Sequence, residues 1–255
     1  MPGSRGCQAS LCYGMIIALL KINNTMKKIL VILTSHETME NTDSTTGVWL
    51  GEFTDPYYEF VDKGYHVTLA SPQGGKIPID PMSTLTENIT ASNRRFKNDA
   101  DTQEKFNNTL TLEEVAGREF DALFFPGGHG PVWDLASNEI SGKMIIEFLN
   151  SHKPVAAVCH GPAALLAAEK QQPGLLKGRR ITCFTNTEEA LAFRSDNIPY
   201  ELETRLKELG ADFHAAMIPY TSHVEQDGLL ITGQNPLSAG PVAKALIEAL
   251  EKKAS

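Results

Sequence analysis

This chain has few cysteines, no excess of basic residues and no hydrophobic run long enough to cross a membrane. The four cysteines among 255 residues, at positions 7, 12, 159 and 183, form neither a metal-ligand spacing nor a disulfide framework, which indicates a reducing compartment. The 23 basic residues are outnumbered by 31 acidic ones, and the net charge of −8 gives no basic surface for nucleic acid or an anionic membrane. A small neutral or polar molecule is therefore the expected partner.

The first 26 residues differ from the rest of the sequence. Arg5 precedes an apolar run over residues 11–20, which resembles a weak signal peptide but is too short to span a bilayer and lacks a clear cleavage site. Alternatively, translation starts at Met15 or Met26, because Met26-Lys-Lys-Ile-Leu-Val-Ile-Leu is how many cytoplasmic α/β proteins open. The second interpretation is favoured, so we expect residues 1–26 to be an extension and the protein to be cytoplasmic.

Strand and helix patterns alternate along residues 27–255. A hydrophobic content of 42% suffices for one large α/β core, and no Gly/Ser linker divides the chain, so a single domain is expected. Repeated strand and helix units predict a doubly wound, mainly parallel sheet with helices on both faces. Predicted strands cover 28–33, 65–70, 120–125, 155–158, 180–184 and 214–218, with a hairpin within 223–232. Predicted helices cover 46–63, 141–152, 199–209 and 239–252, with another that ends near residue 170.

Residues 71–110 interrupt this alternation. They are rich in Asp, Asn, Pro and Thr, and they lack the apolar periodicity of a core element. We expect a loop or lid region with short helices.

The stretch Val155-Ala-Ala-Val-Cys159-His160-Gly161-Pro162 indicates a nucleophile elbow. Four small or β-branched apolar residues predict a buried parallel strand, Gly161 permits a tight turn, and Pro162 suits the first turn of a helix. Cys159 then lies on the turn near the positive end of a helix, which would lower the pKa of its thiol and favour the thiolate. The alternative is a small buried hydrophobe at a strand end.

Two further features accompany this cysteine. His160 could exchange protons with the thiol near neutral pH, or it could point outward as a cap without a chemical role. Gly127 and Gly128 follow another buried strand; if the two strands are neighbours, the amides of Gly128 and of the elbow would form an oxyanion hole beside the sulfur. An ordinary Pro-Gly-Gly turn is the alternative, and spacing alone assigns no role to His129.

These residues resemble the ThiJ/PfpI superfamily, whose members are similar to class I glutamine amidotransferase domains. The resemblance extends from about residue 27 to residue 252 and is strongest to the heat-shock-protein-31-like branch, which includes glutathione-independent glyoxalase III enzymes. The matching segments, in chain order, are Thr46-Gly-Val-Trp-Leu-Gly-Glu52, Gly128-His129-Gly130, the elbow, Phe184-Thr-Asn-Thr-Glu-Glu189 and Thr232-Gly-Gln-Asn-Pro236. The resemblance implies a flavodoxin-like sandwich.

The resemblance also implies site residues. An acidic residue on the first helix touches the nucleophilic sulfur in that family, and here it would be Glu52. A second acidic residue orients the elbow histidine, and it aligns with Glu189, although the adjacent Glu188 could take that place. Either glutamate could instead simply begin a helix. The full candidate set is Cys159, His160, Glu52 and Glu189 for catalysis, with Gly127, Gly128, His129 and Gly161 for the oxyanion or substrate.

The first function hypothesis is a glyoxalase III-like conversion of methylglyoxal and other 2-oxoaldehydes to 2-hydroxy acids such as D-lactate, without glutathione, metal or another cofactor. His36 and Glu37 lie together but lack a third metal ligand. The alternatives are a redox-responsive stress-protection protein or chaperone, in which Cys159 is oxidised, and a protein deglycase. The resemblance further implies a homodimer.

Overall fold

Residues 26–252 are described by the computed structural model, and they form a seven-stranded sheet with helices on both faces. The expected extension was residues 1–26, and all of it except Met26 lies outside the described residues, as do Cys7 and Cys12. The strands of the large sheet are β1 Lys28–Ile32, β2 His66–Ser71, β3 Leu110–Thr111, β4 Ala122–Phe125, β5 Val155–Val158, β8 Val224–Asp227 and β9 Leu230–Gly233. Two further strands, β6 Arg180–Ile181 and β7 Asp212–Phe213, form a small sheet of their own.

The strand order is β3-β2-β1-β4-β5-β9-β8, and every neighbouring pair is parallel except β8 with β9. The predicted doubly wound α/β fold is therefore confirmed. The helices between the strands are α1 Leu50–Asp62, α2 Ala91–Lys97, α3 Ala100–Asn107, α4 Leu112–Val115, α5 Glu139–Asn150, α6 Ala164–Gln171, α7 Asn186–Leu191, α8 Leu202–Glu208 and α9 Ala239–Lys252. No helix within residues 26–252 is long and apolar enough to cross a membrane.

The core lies in two layers, one on each face of the sheet. Successive strand residues point to opposite faces, so Ile29 and Val31 of β1 join one buried cluster while Leu30 and Ile32 join the other. Helices α1 and α9 cover the first cluster, and α5, α6 and α8 cover the second. Both faces of the parallel strands are thus apolar, which explains why the strands appear in the sequence as unbroken hydrophobic runs.

Strand order reverses between β1 and β4, which places the candidate site. From β1 the chain winds outward through β2 and β3, then returns to β4 on the other side of β1 and continues to β5. Strands β4 and β5 pair directly, as the oxyanion-hole prediction required. Gly127 follows the end of β4 and Cys159 follows the end of β5, so both turns lie at the carboxyl edge of the sheet, where ligands bind in such folds.

Two predicted elements differ from the structure. The segment 180–184 contributes only Arg180 and Ile181 to a strand, and this strand pairs with β7 rather than with the large sheet. The strand predicted at 214–218 is absent, because the chain there lies on the surface, where Met217 is 99% exposed.

The polar segment 71–110 forms short helices, but it also contributes to the core, contrary to expectation. Phe96 of α2 and Phe106 of α3 are buried, and their ring centroids lie 5.9 and 4.8 Å from that of Phe53 on α1. Each helix buries a single aromatic ring among polar neighbours, so no apolar period is visible in the sequence.

Candidate active site

Cys159 occupies a strained turn between β5 and α6. Its φ of +59° is in the left-handed region, which a non-glycine residue adopts only when the surrounding structure holds it there. The main chain is fixed on both sides, since the Cys159 N–H donates to the Gly233 carbonyl at 2.9 Å and its own carbonyl accepts from the Phe184 N–H at 3.0 Å. The turn directs the sulfur away from the sheet, as the elbow prediction requires.

Three groups surround the Cys159 sulfur. His160 Nδ1 lies 3.4 Å from Sγ, the Gly128 N–H donates to the sulfur, and the Glu52 carboxyl lies against the thiol. Cys159 and His160 are adjacent in the chain, whereas Glu52 and Gly128 come from two other segments. The arrangement combines a nucleophile, a proton acceptor, an amide donor and an acid within one contact shell.

The predicted thiolate is not what this environment stabilises. Cys159 is 3% exposed, and burial together with the neighbouring Glu52 carboxyl raises the pKa of its thiol, while the Gly128 amide only partly opposes this. The expected helix effect is weak because a 3₁₀ turn at Gly161–Ala163 separates Cys159 from the first residue of α6. The prediction of a lowered thiol pKa was therefore wrong, and the resting sulfur carries its proton.

Glu52 is fully buried in the first turn of α1. Its Oε2 accepts a hydrogen bond of 2.8 Å from the Gly127 N–H, which fixes the carboxyl beside Cys159. Burial raises the pKa of Glu52 to about 8, against the lowering effects of its hydrogen bonds to Cys159 and Gly127. At neutral pH this carboxyl is therefore mainly protonated and can donate a proton.

Glu189 bridges two histidines at the start of α7. Its Oε2 lies 2.7 Å from His160 Nε2, and its Oε1 lies 2.7 Å from His129 Nε2. Burial alone would raise the pKa of Glu189, but His160 and His129 outweigh it and hold the pKa well below its ordinary value. Burial also lowers the pKa of His160, and the neighbouring His129 lowers it further. The elbow imidazole is thus held neutral beside the thiol.

Glu188 has a different environment from Glu189. Its Oε2 accepts the Thr185 N–H in a capping box at the start of α7. Its Oε1 accepts the Tyr220 N–H and the side-chain amides of Gln234 and Asn235. These bonds connect α7 to the turn after β9, and the carboxyl contacts neither histidine through a hydrogen bond that the described residues show.

Two of the glycines expected at the substrate lie behind the sulfur instead. The Gly127 N–H is already bonded to Glu52, and a Cβ on Gly127 would lie 2.6 Å from both Glu52 Oε2 and the Val158 carbonyl oxygen. Gly161 is buried against the main chain at Phe125. Both therefore permit close packing rather than facing the substrate, whereas Gly128 and His129 line the cavity.

A cavity of about 730 Å³ opens above Cys159. One wall is acidic, with Asp55, Asp80 and Glu87. The rim is apolar, and several large side chains there are exposed although they line the cavity: Met82, Leu191, Phe193, Tyr220 and Leu237. Pockets of this size hold drug-sized ligands, so the cavity has room beyond a three-carbon aldehyde.

The sequence analysis missed several residues of this site. Asp80 is 1% exposed and its Oδ2 lies 3.9 Å from His129 Nδ1. The Phe184 ring packs on His160 with centroids 4.9 Å apart, and Tyr220 packs on Phe184 at 6.0 Å. Asp80 precedes Pro81 in a polar loop, and nothing in its spacing distinguishes it from a turn residue.

His129, His160 and Glu189 place their ligand-type atoms within 4.8 Å of one another. The two 2.7 Å hydrogen bonds account for this proximity, because each carboxylate oxygen already accepts from one imidazole. His36, considered above as a metal ligand, instead stacks on Trp133 with centroids 4.6 Å apart. The expectation of a cofactor-free and metal-free site stays a prediction.

Comparison with known proteins gives consistent matches across the chain. Residues 27–249 match the DJ-1/PfpI family. The Glutathione-independent glyoxalase HSP31 of Saccharomyces cerevisiae is 32% identical over 239 residues, covering 88% of this chain and 98% of that protein.

Two solved structures share the fold over the same region. Rapid Encystment Protein 24 kDa of Francisella tularensis has a TM-score of 0.83 at 36% identity, covering 88% of this chain and 99% of its own. Glyoxalase III of Candida albicans has a TM-score of 0.79 at 27% identity, covering 88% of this chain and 97% of its own.

Proposed function

Because this chain belongs to the DJ-1/PfpI family, we propose that it is a glutathione-independent glyoxalase that converts methylglyoxal and other 2-oxoaldehydes to 2-hydroxy acids. The observation that carries the proposal is the set of groups around Cys159 at the bottom of a cavity: a proton acceptor at 3.4 Å, a protonated carboxyl and an amide donor. Similarity to proteins named glyoxalases over nearly the whole chain supports it.

The first step is addition of the sulfur to the aldehyde carbon. As the C–S bond forms, the thiol proton passes to His160 Nδ1, whose ring Glu189 holds through Nε2. The aldehyde oxygen becomes an alkoxide that accepts from the Gly128 N–H, and Glu52 protonates it to give a hemithioacetal. A protonated Cys159 thiol and a protonated Glu52 carboxyl suit this step, because the thiol proton passes to His160 and the carboxyl proton to the alkoxide as the C–S bond forms.

The second step moves a hydrogen from C1 to C2. Glu52, now a carboxylate, removes the C1 proton and returns it to C2 through an enediol, while the proton on the C1 oxygen passes to the C2 oxygen, which leaves a thioester of the 2-hydroxy acid on Cys159. Water then attacks the thioester carbon, the C–S bond breaks, and the sulfur recovers its proton from His160. The proton that the attacking water loses restores Glu52, so methylglyoxal and water give lactic acid with no net change in the enzyme.

We also propose a homodimer that works in the cytoplasm. Exposed apolar side chains outside the cavity, among them Met217 and Ile218, provide surface that a second copy could cover. Cys159 and Cys183 are both free thiols, which suits a reducing compartment. Light scattering on the purified protein should give about twice the chain mass of 27.9 kDa, and a mass of one chain would remove the dimer from the proposal.

The test of the function is product analysis with the purified protein. Methylglyoxal is supplied without glutathione and after chelation of metals, and lactate is measured with stereospecific lactate dehydrogenases. The proposal predicts D-lactate in amounts that exceed the enzyme by many turnovers. Consumption of methylglyoxal with no lactate would indicate simple adduct formation on side chains and would contradict the proposal.

A further inference from the structure

His129 lies between two buried carboxylates. Its Nε2 is hydrogen-bonded to Glu189 Oε1 at 2.7 Å, whereas its buried Nδ1 has no hydrogen-bond partner among the described residues and lies 3.9 Å from Asp80 Oδ2, a distance that permits only an ion pair. His129 itself is only 6% exposed, and Asp80 and Glu189 are 1% and 3% exposed. An ion in such a place is stable only when an opposite charge or strong hydrogen bonds compensate it.

Both carboxylates act only as hydrogen-bond acceptors. Asp80 Oδ2 accepts from the Thr46 hydroxyl at 2.9 Å, and Asp80 Oδ1 accepts from the Met82 N–H at 2.9 Å. Glu189 accepts from both imidazoles, and burial is outweighed by the two histidines, which keep the pKa of Glu189 well below its ordinary value. Two carboxylates therefore lie around the histidine pair, and a protonated imidazole there would compensate their charge.

The hydrogen bonds to Glu189 also fix the tautomer of His160. An ionised carboxylate can only accept, so His160 Nε2 carries a hydrogen. A neutral His160 then has its lone pair on Nδ1, which faces the Cys159 sulfur at 3.4 Å. A cationic His160 would have no lone pair there and could not accept the thiol proton.

We propose that His129 is the cation of this pair, protonated on both nitrogens between Asp80 and Glu189, and that its fixed charge keeps His160 neutral with the Nδ1 lone pair directed at Cys159. His129 is thus a positioning residue that controls the protonation state of the base. The positive charge that compensates the carboxylates is then on His129, which does not contact the sulfur. The His160 imidazole, which does contact it, stays free to exchange a proton with Cys159.

The effect on His160 has a definite sign. The ring centroids of the two histidines are 4.2 Å apart, so a positive His129 repels a second positive charge on His160. Burial and this repulsion both lower the pKa of His160, while Glu189 and Glu188 oppose them. Loss of the His129 charge would raise the pKa of His160, and the base would then be protonated, and inactive, up to a higher pH.

The direct test is nitrogen NMR on wild-type protein labelled with ¹⁵N in its seven histidines. At pH 7.5 the His129 ring is expected to show two protonated nitrogens, and the His160 ring one protonated Nε2 and one bare Nδ1. A His129 ring with a single protonated nitrogen would overturn the inference. Neither result depends on a variant or on the activity of the protein, so a failure of the proposed function would not be confused with a failure of this inference.

The kinetic test, which alone rests on the proposed function, follows the acid limb of the kcat/KM profile. In His129→Gln and in Asp80→Asn the limb should move to higher pH, with turnover at least about tenfold lower than wild type at pH 6 and a smaller loss at pH 8. The control is His214→Gln, an exposed histidine outside the cavity, whose profile should match wild type. A uniform loss at every pH in both variants would indicate a merely structural role and would overturn the inference.

Discussion

Cys159 and Glu52 both hold their protons at neutral pH because both side chains are buried. Burial opposes the charged form of each group, and the Glu52 carboxyl further raises the pKa of the Cys159 thiol, whereas the hydrogen bond from Cys159 partly lowers the pKa of Glu52. A redox sensor, the alternative function considered from the sequence, needs an exposed thiolate. The buried thiol at Cys159 favours a nucleophile that loses its proton only as it attacks a bound carbonyl.

Glu52 should also make the stability of the fold depend on pH. The carboxyl is protonated up to about pH 8 in the folded chain but ionises near its ordinary pKa of 4.5 when unfolded. The folded state therefore binds one more proton across this window, and stability falls as the pH rises through it. Between pH 6.5 and 8 the free energy of unfolding should drop by about 1.6 kcal/mol in wild type.

The Glu52→Gln variant isolates this effect, because its amide can still accept from the Gly127 N–H. Urea unfolding of Glu52→Gln should show little change between pH 6.5 and 8, whereas Glu59→Gln, on the same helix and part-exposed, should retain the wild-type drop. An equal drop in wild type and Glu52→Gln would show that the carboxyl is already ionised in the folded protein.

The same carboxyl determines the activity. Glu52 acts first as an acid, so kcat/KM for methylglyoxal should fall as the pH rises through about 8, where the carboxyl ionises. Glu52→Gln cannot transfer the hydrogen from C1 to C2 and should lose about 10²–10⁴ in kcat, while Glu59→Gln should not change it. A Glu52→Gln variant with near wild-type turnover would exclude the proposed hydrogen transfer.

The first turn of helix α7 carries two neighbouring glutamates, Glu188 and Glu189, for which we expect different functions. Glu189→Gln should lower kcat about 10²-fold with little loss of stability, since it weakens the hold on His160. Glu188→Gln should instead cost about 1–3 kcal/mol of stability, because Glu188 connects the main chain at Thr185 and Tyr220 to Gln234 and Asn235. For both variants, kcat and the free energy of unfolding in urea are measured. A loss of kcat in Glu188→Gln and a loss of stability in Glu189→Gln would show that Glu188 orients His160.

The strands with unbroken apolar runs could be predicted from the sequence, and so could the turn at Cys159, because Gly161 and Pro162 permit little else after a buried strand. The two-residue strand β6 could not be placed, since so short a ladder leaves no pattern and its partner β7 lies about thirty residues later in the chain. The thiol pKa was also beyond sequence reasoning. It depends on Glu52, which is brought to the sulfur by the packing of α1 on the sheet and by the Gly127 amide.

Asp80 illustrates a further limit. It reaches His129 only because the segment between β2 and β3 folds back over the carboxyl edge of the sheet. Its sequence neighbours specify a turn, and the turn alone says nothing about what the side chain contacts. Long-range proximity of this kind becomes visible only in the folded chain.

For the whole molecule, the position of the site at the reversal of strand order explains the size of its cavity. Turns from β4 and β5 form the floor, and segments from the rest of the chain form the walls, which leaves about 730 Å³ above the sulfur. The exposed apolar rim suits an aldehyde with a larger apolar substituent than a methyl group.

We therefore expect phenylglyoxal to be turned over with a kcat/KM at least equal to that for methylglyoxal. Phe193 is 90% exposed at the rim of the cavity. Phe193→Ser should lower kcat/KM for phenylglyoxal about tenfold, because it removes an apolar contact worth about 1.5 kcal/mol. The same variant should leave kcat/KM for methylglyoxal unchanged. Met217→Ser, an exposed apolar residue that does not line the cavity, is the control. Equal losses on both aldehydes in Phe193→Ser would contradict a role for the rim in binding the substituent.

Cys159 is proposed to form a covalent intermediate with the aldehyde, and the two free cysteines of the described chain allow a matched test. D-lactate formation from methylglyoxal, without glutathione, is measured for wild type, Cys159→Ser and Cys183→Ser; Cys183 is fully buried and lies outside the cavity. We expect robust turnover in wild type and Cys183→Ser and none in Cys159→Ser. Comparable D-lactate formation by Cys159→Ser would contradict a covalent intermediate on Cys159.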